Sequence, residues 1–97
     1  MEFSLYILSC ADGTLYTGIA AHVARRLAQH NGEKPGGARY TAGRRPVKLV
    51  YEARFASRSA ALKEEARIKR LTRGEKNKLV AAYAAISAQA RKQSTAP

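Results

Sequence analysis

The 97-residue sequence contains little cysteine, few acidic residues and no tryptophan. Cys10 is the single cysteine, so no internal disulfide can form, and it has no Cys or His at the spacing of a zinc site. No apolar run approaches the roughly 20 residues that a membrane-spanning helix requires. The start of the chain lacks the basic segment that opens a signal peptide. These absences exclude disulfide-stapled, zinc-ribbon and transmembrane proteins and predict a soluble, cytoplasmic one.

The scarcity of acidic residues leaves a large excess of positive charge. Seven Asp and Glu stand against 18 Lys and Arg, for a formal net charge of +11. Such an excess predicts a polyanionic partner, nucleic acid before an anionic membrane surface. A membrane-surface peptide is disfavoured because no predicted helix pairs a bulky apolar face with a lysine-rich one.

The hydrophobic pattern predicts one small α+β domain, because a chain of this length has no room for a second core. Alternation and β-branched residues predict three strands, at 3–8, 15–19 and 47–51. Helical periodicity predicts three helices, at 22–31, from Ser57 or Ser59 to about 71, and from Thr72 onward, where Thr72 and Glu75 form a capping box. The basic, Gly- and Pro-containing segment 33–46 is predicted to be a loop. The order β-β-α-β-α-α indicates a three-stranded sheet flanked by helices over residues 1–86, followed by a frayed tail at 87–97.

The turn between the first two strands allows two registers. Asp12-Gly13 marks a tight hairpin. A two-residue loop would pair Tyr6 with Ile19 and place Tyr16 on the opposite face from Tyr6. A three-residue loop with a left-handed Gly13 would pair Tyr6 with Gly18, and both tyrosines would then share a face.

Several polar residues stand where packing alone does not require them. Arg26 and His30 share a face of the first predicted helix, either as a solvated flank or as part of a site. In the second predicted helix, Glu65 falls near the middle of the apolar arc and Glu64 falls nearer its edge. A carboxylate that points inward costs several kcal/mol unless hydrogen bonds or a cation compensate it, so either a neighbouring Arg or a bound metal is expected. Periodicity alone favours Glu65 over Glu64 only weakly.

Taken together, these residues resemble the GIY-YIG nuclease domain over residues 3–86. The resemblance rests on Ser4-Leu5-Tyr6, Tyr16-Thr17-Gly18, Arg26, His30 and Glu65. It is strongest to the small stand-alone bacterial members, for which the supporting segments include Arg39-Tyr40-Thr41. The same family includes the N-terminal incision module of the excision-repair nuclease UvrC. The sequence departs from the family pattern in three places: Ser4 replaces a glycine, Thr17 replaces an isoleucine, and the lysine that several members carry shortly after the second-motif glycine is missing.

The resemblance implies a metal-dependent endonuclease that hydrolyses DNA by a one-metal mechanism, in DNA repair or recombination. It implies that Glu65 holds one Mg²⁺ or Mn²⁺, which a single carboxylate can bind together with water. Arg26 would stabilise the phosphate, Tyr16 with Tyr6 would act as the base, and His30 would assist. These roles favour the register that places both tyrosines on one face. Gly18 would then leave space for the substrate backbone.

The basic residues are candidates for binding the nucleic-acid backbone, DNA more than RNA. Those singled out are Arg39, Arg44, Arg45, Lys48, Lys69 and Arg70, together with Gly18. No aromatic or Asn/Gln cluster indicates base readout, so weak sequence preference is expected.

The alternative to an enzyme is a non-catalytic module that binds DNA or RNA on a nuclease fold. The missing lysine and the lack of room for a target-reading domain favour it. A targeting protein or a homodimer is a further candidate partner, and the sequence does not indicate the oligomeric state.

Overall fold

A computed structural model describes residues 2–94 of the chain. The strands are β1 (Phe3–Ser9), β2 (Leu15–Ala20) and β3 (Lys48–Phe55), and the helices are α1 (Val23–His30), α2 (Arg39–Ala42), α3 (Arg58–Lys69) and α4 (Arg73–Ser94). The strands form an antiparallel sheet in the order β2-β1-β3. The predicted α+β class and three-stranded sheet are confirmed.

The central strand, β1, has both faces covered because it alternates side chains between two clusters. Leu5 and Ile7 are fully buried on one face, where they pack with Ile68 of α3. Tyr6 and Leu8 are buried on the other face, and Val23 and Leu27 of α1 are among the side chains packed against them. The sheet therefore separates an apolar layer beneath α3 and α4 from a second layer next to α1.

The hairpin between β1 and β2 has the three-residue loop that places both tyrosines on one face. Tyr6 pairs with Gly18, and Tyr16 pairs with Leu8. The loop is closed by the Cys10 N–H, which donates to the Thr14 carbonyl at 2.9 Å. Gly13 has φ +85°, the left-handed conformation that glycine adopts without a steric penalty. The predicted register is confirmed.

The starts of α3 and α4 are determined by side chains. The Ser57 hydroxyl accepts from the Ala60 N–H at 3.2 Å, so Ser57 rather than Ser59 caps α3. At α4, the Glu75 N–H donates to the Thr72 hydroxyl at 3.2 Å, and the Thr72 N–H donates to the Glu75 carboxylate at 2.9 Å. This reciprocal pair is the predicted capping box.

Three segments differ in extent from the prediction. Strand β3, predicted at 47–51, continues to Phe55. The segment predicted as a loop at 33–46 contains the one-turn helix α2, whose Thr41 is fully buried. Helix α4 continues to Ser94 through the segment predicted to fray, since alanine, glutamine, lysine and arginine all favour the helix. Residues 95–97 lie outside the described part of the chain, and fraying stays a prediction. None of the helices within residues 2–94 is long and apolar enough to cross a membrane.

Candidate active site

The ring of Tyr6 lies across Gly18 of the neighbouring strand. A Cβ at Gly18 would come within 2.7 Å of the Tyr6 hydroxyl oxygen and 2.8 Å of the ring carbon that bears it. Gly18 is itself buried, and Tyr6 is only 2% exposed. The expectation that Gly18 leaves space for a substrate backbone is therefore wrong, because Tyr6 fills that space. A glycine at position 18 leaves room for the Tyr6 ring, which a larger residue would contact too closely.

A chain of buried hydrogen bonds begins at the hydroxyl of Tyr6. His30, the last residue of α1, is fully buried, and its Nε2 lies 2.8 Å from the Tyr6 hydroxyl. Its Nδ1 lies 2.9 Å from Oγ1 of Thr41. The Thr41 hydroxyl donates in turn to the Ala38 carbonyl at 3.0 Å. The chain joins β1, α1 and α2.

Burial holds both ionisable members of this chain in their neutral forms. It raises the pKa of Tyr6 to about 12, against the opposing effect of the Arg26 guanidinium. It lowers the pKa of His30 to about 4, and the positive charges of Arg26 and Arg45 add to that shift. Near neutral pH, Tyr6 is therefore a phenol and His30 a neutral imidazole.

Tyr16 lies beside this chain with a half-buried side chain. Its ring centroid is 6.4 Å from that of Tyr6 and 5.1 Å from that of His30, which it meets edge-on. On its other side it contacts Tyr40, at a centroid distance of 5.6 Å. Three aromatic neighbours thus orient the second tyrosine next to the first.

Arg26 is held against the loop that precedes α2. Its Nη1 donates to the Gln29 side chain at 3.0 Å and to the Gly36 carbonyl at 2.6 Å. Its charge affects the pKa values of both Tyr6 and His30, so the guanidinium lies near the buried chain. A half-buried guanidinium fixed in this way can offer its remaining donors to an anion.

The two glutamates of α3 differ in their partners rather than in their burial. Their side chains are 23% and 20% exposed, for Glu64 and Glu65 respectively. Arg67 donates two hydrogen bonds to Glu64, at 2.7 and 2.8 Å, and thereby lowers the pKa of that carboxyl. Glu65 has only the Lys69 ammonium, 3.7 Å away. Burial is the main cause of the raised pKa of Tyr6, and the negative charge of Glu65 is the smallest of the contributions that raise it.

The residues present fit a metal ion held by one carboxylate. Across residues 2–94, no three or more His, Cys, Asp or Glu side chains are grouped as a metal site. Glu65 offers a half-buried carboxylate with a single long ion pair, and oxygen is the ligand that hard divalent cations prefer. Water and substrate oxygens would complete such a coordination shell.

Two of the arginines expected to bind nucleic acid support the site. Arg44 donates to the Asp12 carboxylate at 2.9 Å and to the Tyr40 carbonyl at 2.8 Å, and its guanidinium lies 4.0 Å from the centre of the Tyr40 ring. Arg45 donates to the carbonyl of His30 at 2.7 Å and so caps the end of α1. Both therefore have a structural role, whether or not they also contact phosphate.

The other candidate cations are more exposed. Lys69 faces Glu65, while Arg39, Lys48 and Arg70 make no side-chain hydrogen bond or ion pair within the described part of the chain. Their role in nucleic-acid binding stays a prediction.

Sequence reasoning missed Thr41 and Tyr40 as members of the site. Thr41 supports His30, and Tyr40 packs between Tyr16 and Arg44. The available signal was the segment Arg39-Tyr40-Thr41, which carries part of the family resemblance. A single hydroxyl in a glycine-rich segment does not reveal which buried group it contacts.

Comparison with known proteins identifies the family of this chain. A family model described as the GIY-YIG catalytic domain matches residues 2–79. A UPF0213 protein of Natronomonas pharaonis is 53% identical over 77 residues, which cover 79% of this chain and 88% of that protein. A UPF0213 protein of Desulfotalea psychrophila is 53% identical over 78 residues, which cover 80% of this chain and 70% of that protein.

Two solved structures share the fold. The solution NMR structure of a UPF0213 protein from Bacillus halodurans has a TM-score of 0.55 at 41% identity, over 84% of this chain and 85% of that one. The solution NMR structure of a protein from E. faecalis has a TM-score of 0.58 at 35% identity, over 86% of each chain. The matching domain, these relatives and the observed fold together show that the chain belongs to the GIY-YIG nuclease superfamily.

Proposed function

We propose that this protein is a metal-dependent endonuclease that hydrolyses DNA phosphodiester bonds, with one divalent cation bound by Glu65. The superfamily consists of nucleases that act on nucleic acid and generally depend on a metal ion. The observation that carries the proposal is the packing of Tyr16 against the Tyr6–His30 pair, beside the Arg26 guanidinium. The net charge of +11 supports a polyanionic substrate.

The environments of the two tyrosines favour different roles for them. Tyr6 is poorly suited to accept a proton, because burial raises its pKa to about 12 and its hydroxyl is bonded to His30. We therefore assign the removal of a proton from the attacking water to Tyr16, acting as its phenolate. Tyr6 orients the ring of Tyr16, and His30 holds Tyr6 in place.

In this proposal, Arg26 binds the phosphate of the scissile bond. A planar guanidinium donates to phosphate oxygens and stabilises the negative charge that grows on them as the water oxygen bonds to phosphorus. The bond from phosphorus to the 3′ oxygen then breaks, and that oxygen leaves and takes a proton from solvent. A divalent cation on Glu65, Mg²⁺ or Mn²⁺, supplies Lewis-acid stabilisation of the same charge when bound.

The experiment compares two neighbouring glutamates. Wild type, Glu65→Gln and Glu64→Gln are incubated with plasmid, single-stranded and branched DNA in Mg²⁺ or Mn²⁺, and the rate of cleavage is measured. Losing several kcal/mol of charge stabilisation corresponds to a decrease on the order of 10²- to 10³-fold for Glu65→Gln. Glu64→Gln removes only a partly exposed ion pair with Arg67, so it should retain the wild-type rate. Equal rates for all three proteins would refute the catalytic role of Glu65. Preferential cleavage of branched DNA would support a role in repair or recombination.

A second candidate is a non-catalytic module that binds DNA or RNA. The Lys69 ammonium next to Glu65 favours it, because this positive charge competes with a metal ion for the carboxylate. Binding that weakens steeply with salt, with neither metal affinity nor cleavage, would select this candidate.

A further inference from the structure

The last side chain of the buried hydrogen-bond chain has no part in the proposed chemistry. Thr41 lies in the one-turn helix α2 and is fully buried. Its hydroxyl contacts Nδ1 of His30 at 2.9 Å and the Ala38 carbonyl at 3.0 Å. A buried hydroxyl between an imidazole and a carbonyl constrains where the imidazole carries its proton.

The hydroxyl hydrogens of Thr41 and Tyr6, counted against the acceptors available to them, favour one tautomer of His30. Thr41 has one hydroxyl hydrogen, and it is directed at the Ala38 carbonyl. The oxygen of Thr41 is then an acceptor, so Nδ1 of His30 carries the proton and donates to it. The lone pair of Nε2 remains and accepts the hydrogen of the Tyr6 hydroxyl at 2.8 Å.

The opposite tautomer would leave the hydroxyl hydrogen of Tyr6 without an acceptor. With the proton on Nε2, His30 would donate to Tyr6, and the hydrogen of Tyr6 would have to turn away from the imidazole. Tyr6 is 2% exposed, and His30 is the side chain that can accept its hydrogen, since the nearby Arg26 guanidinium can only donate to the hydroxyl oxygen. Arg26 lies nearby and carries a positive charge, so a phenolic hydrogen directed at it would be repelled.

We propose that Thr41 is a positioning residue that sets the Nδ1–H tautomer of His30. Through this tautomer, Thr41 directs the hydroxyl hydrogen of Tyr6 toward Nε2 of His30 in the protein interior. The oxygen of Tyr6 then faces Arg26 and the rest of the site as an acceptor only. The assignment of the tautomer stands on the geometry alone. Its effect on cleavage rests on the proposed function.

The test uses two substitutions that differ in one group. Thr41→Val keeps the branched shape and removes the hydroxyl, and Thr41→Ser keeps the hydroxyl. Proton–nitrogen correlation NMR of the free protein, labelled with ¹⁵N in histidine, reports which ring nitrogen of His30 carries the proton. We expect Nδ1–H in wild type and Thr41→Ser, and an increased share of Nε2–H in Thr41→Val. Thr41→Ala replaces the valine variant if the amide spectrum shows that the latter is unfolded.

The kinetic arm measures kcat and KM for DNA cleavage by the same proteins. Loss of one buried hydrogen bond corresponds to a decrease in kcat of about tenfold for Thr41→Val, with KM unchanged and wild-type behaviour for Thr41→Ser. An Nε2–H tautomer in wild type, or an unchanged tautomer in Thr41→Val, would overturn the assignment. An altered tautomer with an unchanged kcat would overturn the positioning role. If wild type cleaves no DNA, the proposed nuclease function fails, while the NMR result still decides the assignment of the tautomer.

Discussion

Both faces of β1 bury apolar side chains, but the face that carries Tyr6, the polar face, also buries a series of linked hydrogen bonds. On one face, Leu5 and Ile7 meet Ile68 in a cluster held together by apolar contact. On the other face, the Tyr6 hydroxyl lies 2.8 Å from Nε2 of His30, and Nδ1 of His30 lies 2.9 Å from Oγ1 of Thr41. Apolar burial stabilises a fold without directional requirements, whereas buried polar groups are costly unless each has a partner.

The hydrogen bonds on the polar face give it a role that apolar contact alone does not provide. No buried side-chain nitrogen or oxygen within residues 2–94 lacks a hydrogen-bond partner, so the polar face is completely satisfied. Such a network specifies one arrangement of its members, because a shift of one member would leave another without a partner. Both faces thus provide stability through apolar burial, and the polar face in addition orients the candidate catalytic groups.

Removing apolar bulk from the face that carries Leu5 and Ile7 should produce the largest effect. Ile68→Ala creates a cavity under a fully buried side chain, which lowers the free energy of unfolding by about 2–5 kcal/mol. Ile86→Ala is the control, because Ile86 is 68% exposed, and its effect should stay within about 0.5 kcal/mol. Urea denaturation followed by circular dichroism measures both. Similar values for the two variants would contradict the stabilising role of apolar burial on this face.

A methyl group placed in the polar face should cost less stability but disturb the site. Gly18→Ala directs its Cβ at the hydroxyl of Tyr6, which is held by His30 and cannot move freely. We expect a loss of about 1–3 kcal/mol, as for other overpacked sites, together with reduced DNA cleavage. Gly43→Ala is the matched control, since its Cβ would meet nothing within 4 Å and its φ is −93°. Wild-type stability and cleavage in Gly18→Ala would show that Tyr6 does not need its present position.

Local patterns in the sequence were sufficient to predict most of the fold. The alternation of β1, the Asp12-Gly13 turn and the capping box of Thr72 and Glu75 each involve residues close in sequence, and each was confirmed. The turn alone left two registers open, and the one that places both tyrosines on one face was favoured by the roles that the family resemblance implied. The alternation, the turn and the capping box depend on backbone geometry over a few residues, which a pattern can represent.

The interior of the site depends on contacts that no local pattern represents. Thr41 meets His30 across 11 positions of the chain, through a short helix whose own sequence contains too few residues to show a period. Gly18 is required by a ring from the neighbouring strand, not by a turn or a ligand. Helical periodicity barely distinguished Glu65 from Glu64, and the difference between them lies in the bidentate hold of Arg67 on Glu64.

The buried imidazole of His30 should also make the polar face the pH-sensitive one. Burial lowers the pKa of His30 from its ordinary 6.5 to about 4, with contributions from Arg26 and Arg45. Between these pH values the unfolded chain binds a proton that the folded protein does not, so stability decreases as the pH falls through 6.5 towards 4 and changes no further for this group below that.

The effect of His30 on stability should be the smallest of the three. The full shift corresponds to about 3 kcal/mol, and solvent screening at the partly exposed Arg26 and Arg45 reduces the expected loss to about 1–2 kcal/mol. Urea denaturation at several pH values between 7 and 5 measures the slope in wild type, His30→Gln and His22→Gln. The slope should decrease in His30→Gln and persist in His22→Gln, because His22 is exposed at the start of α1. An unchanged slope in His30→Gln would mean that this imidazole is free to take up a proton in the folded protein, and the neutral Tyr6–His30 pair would then have to be abandoned.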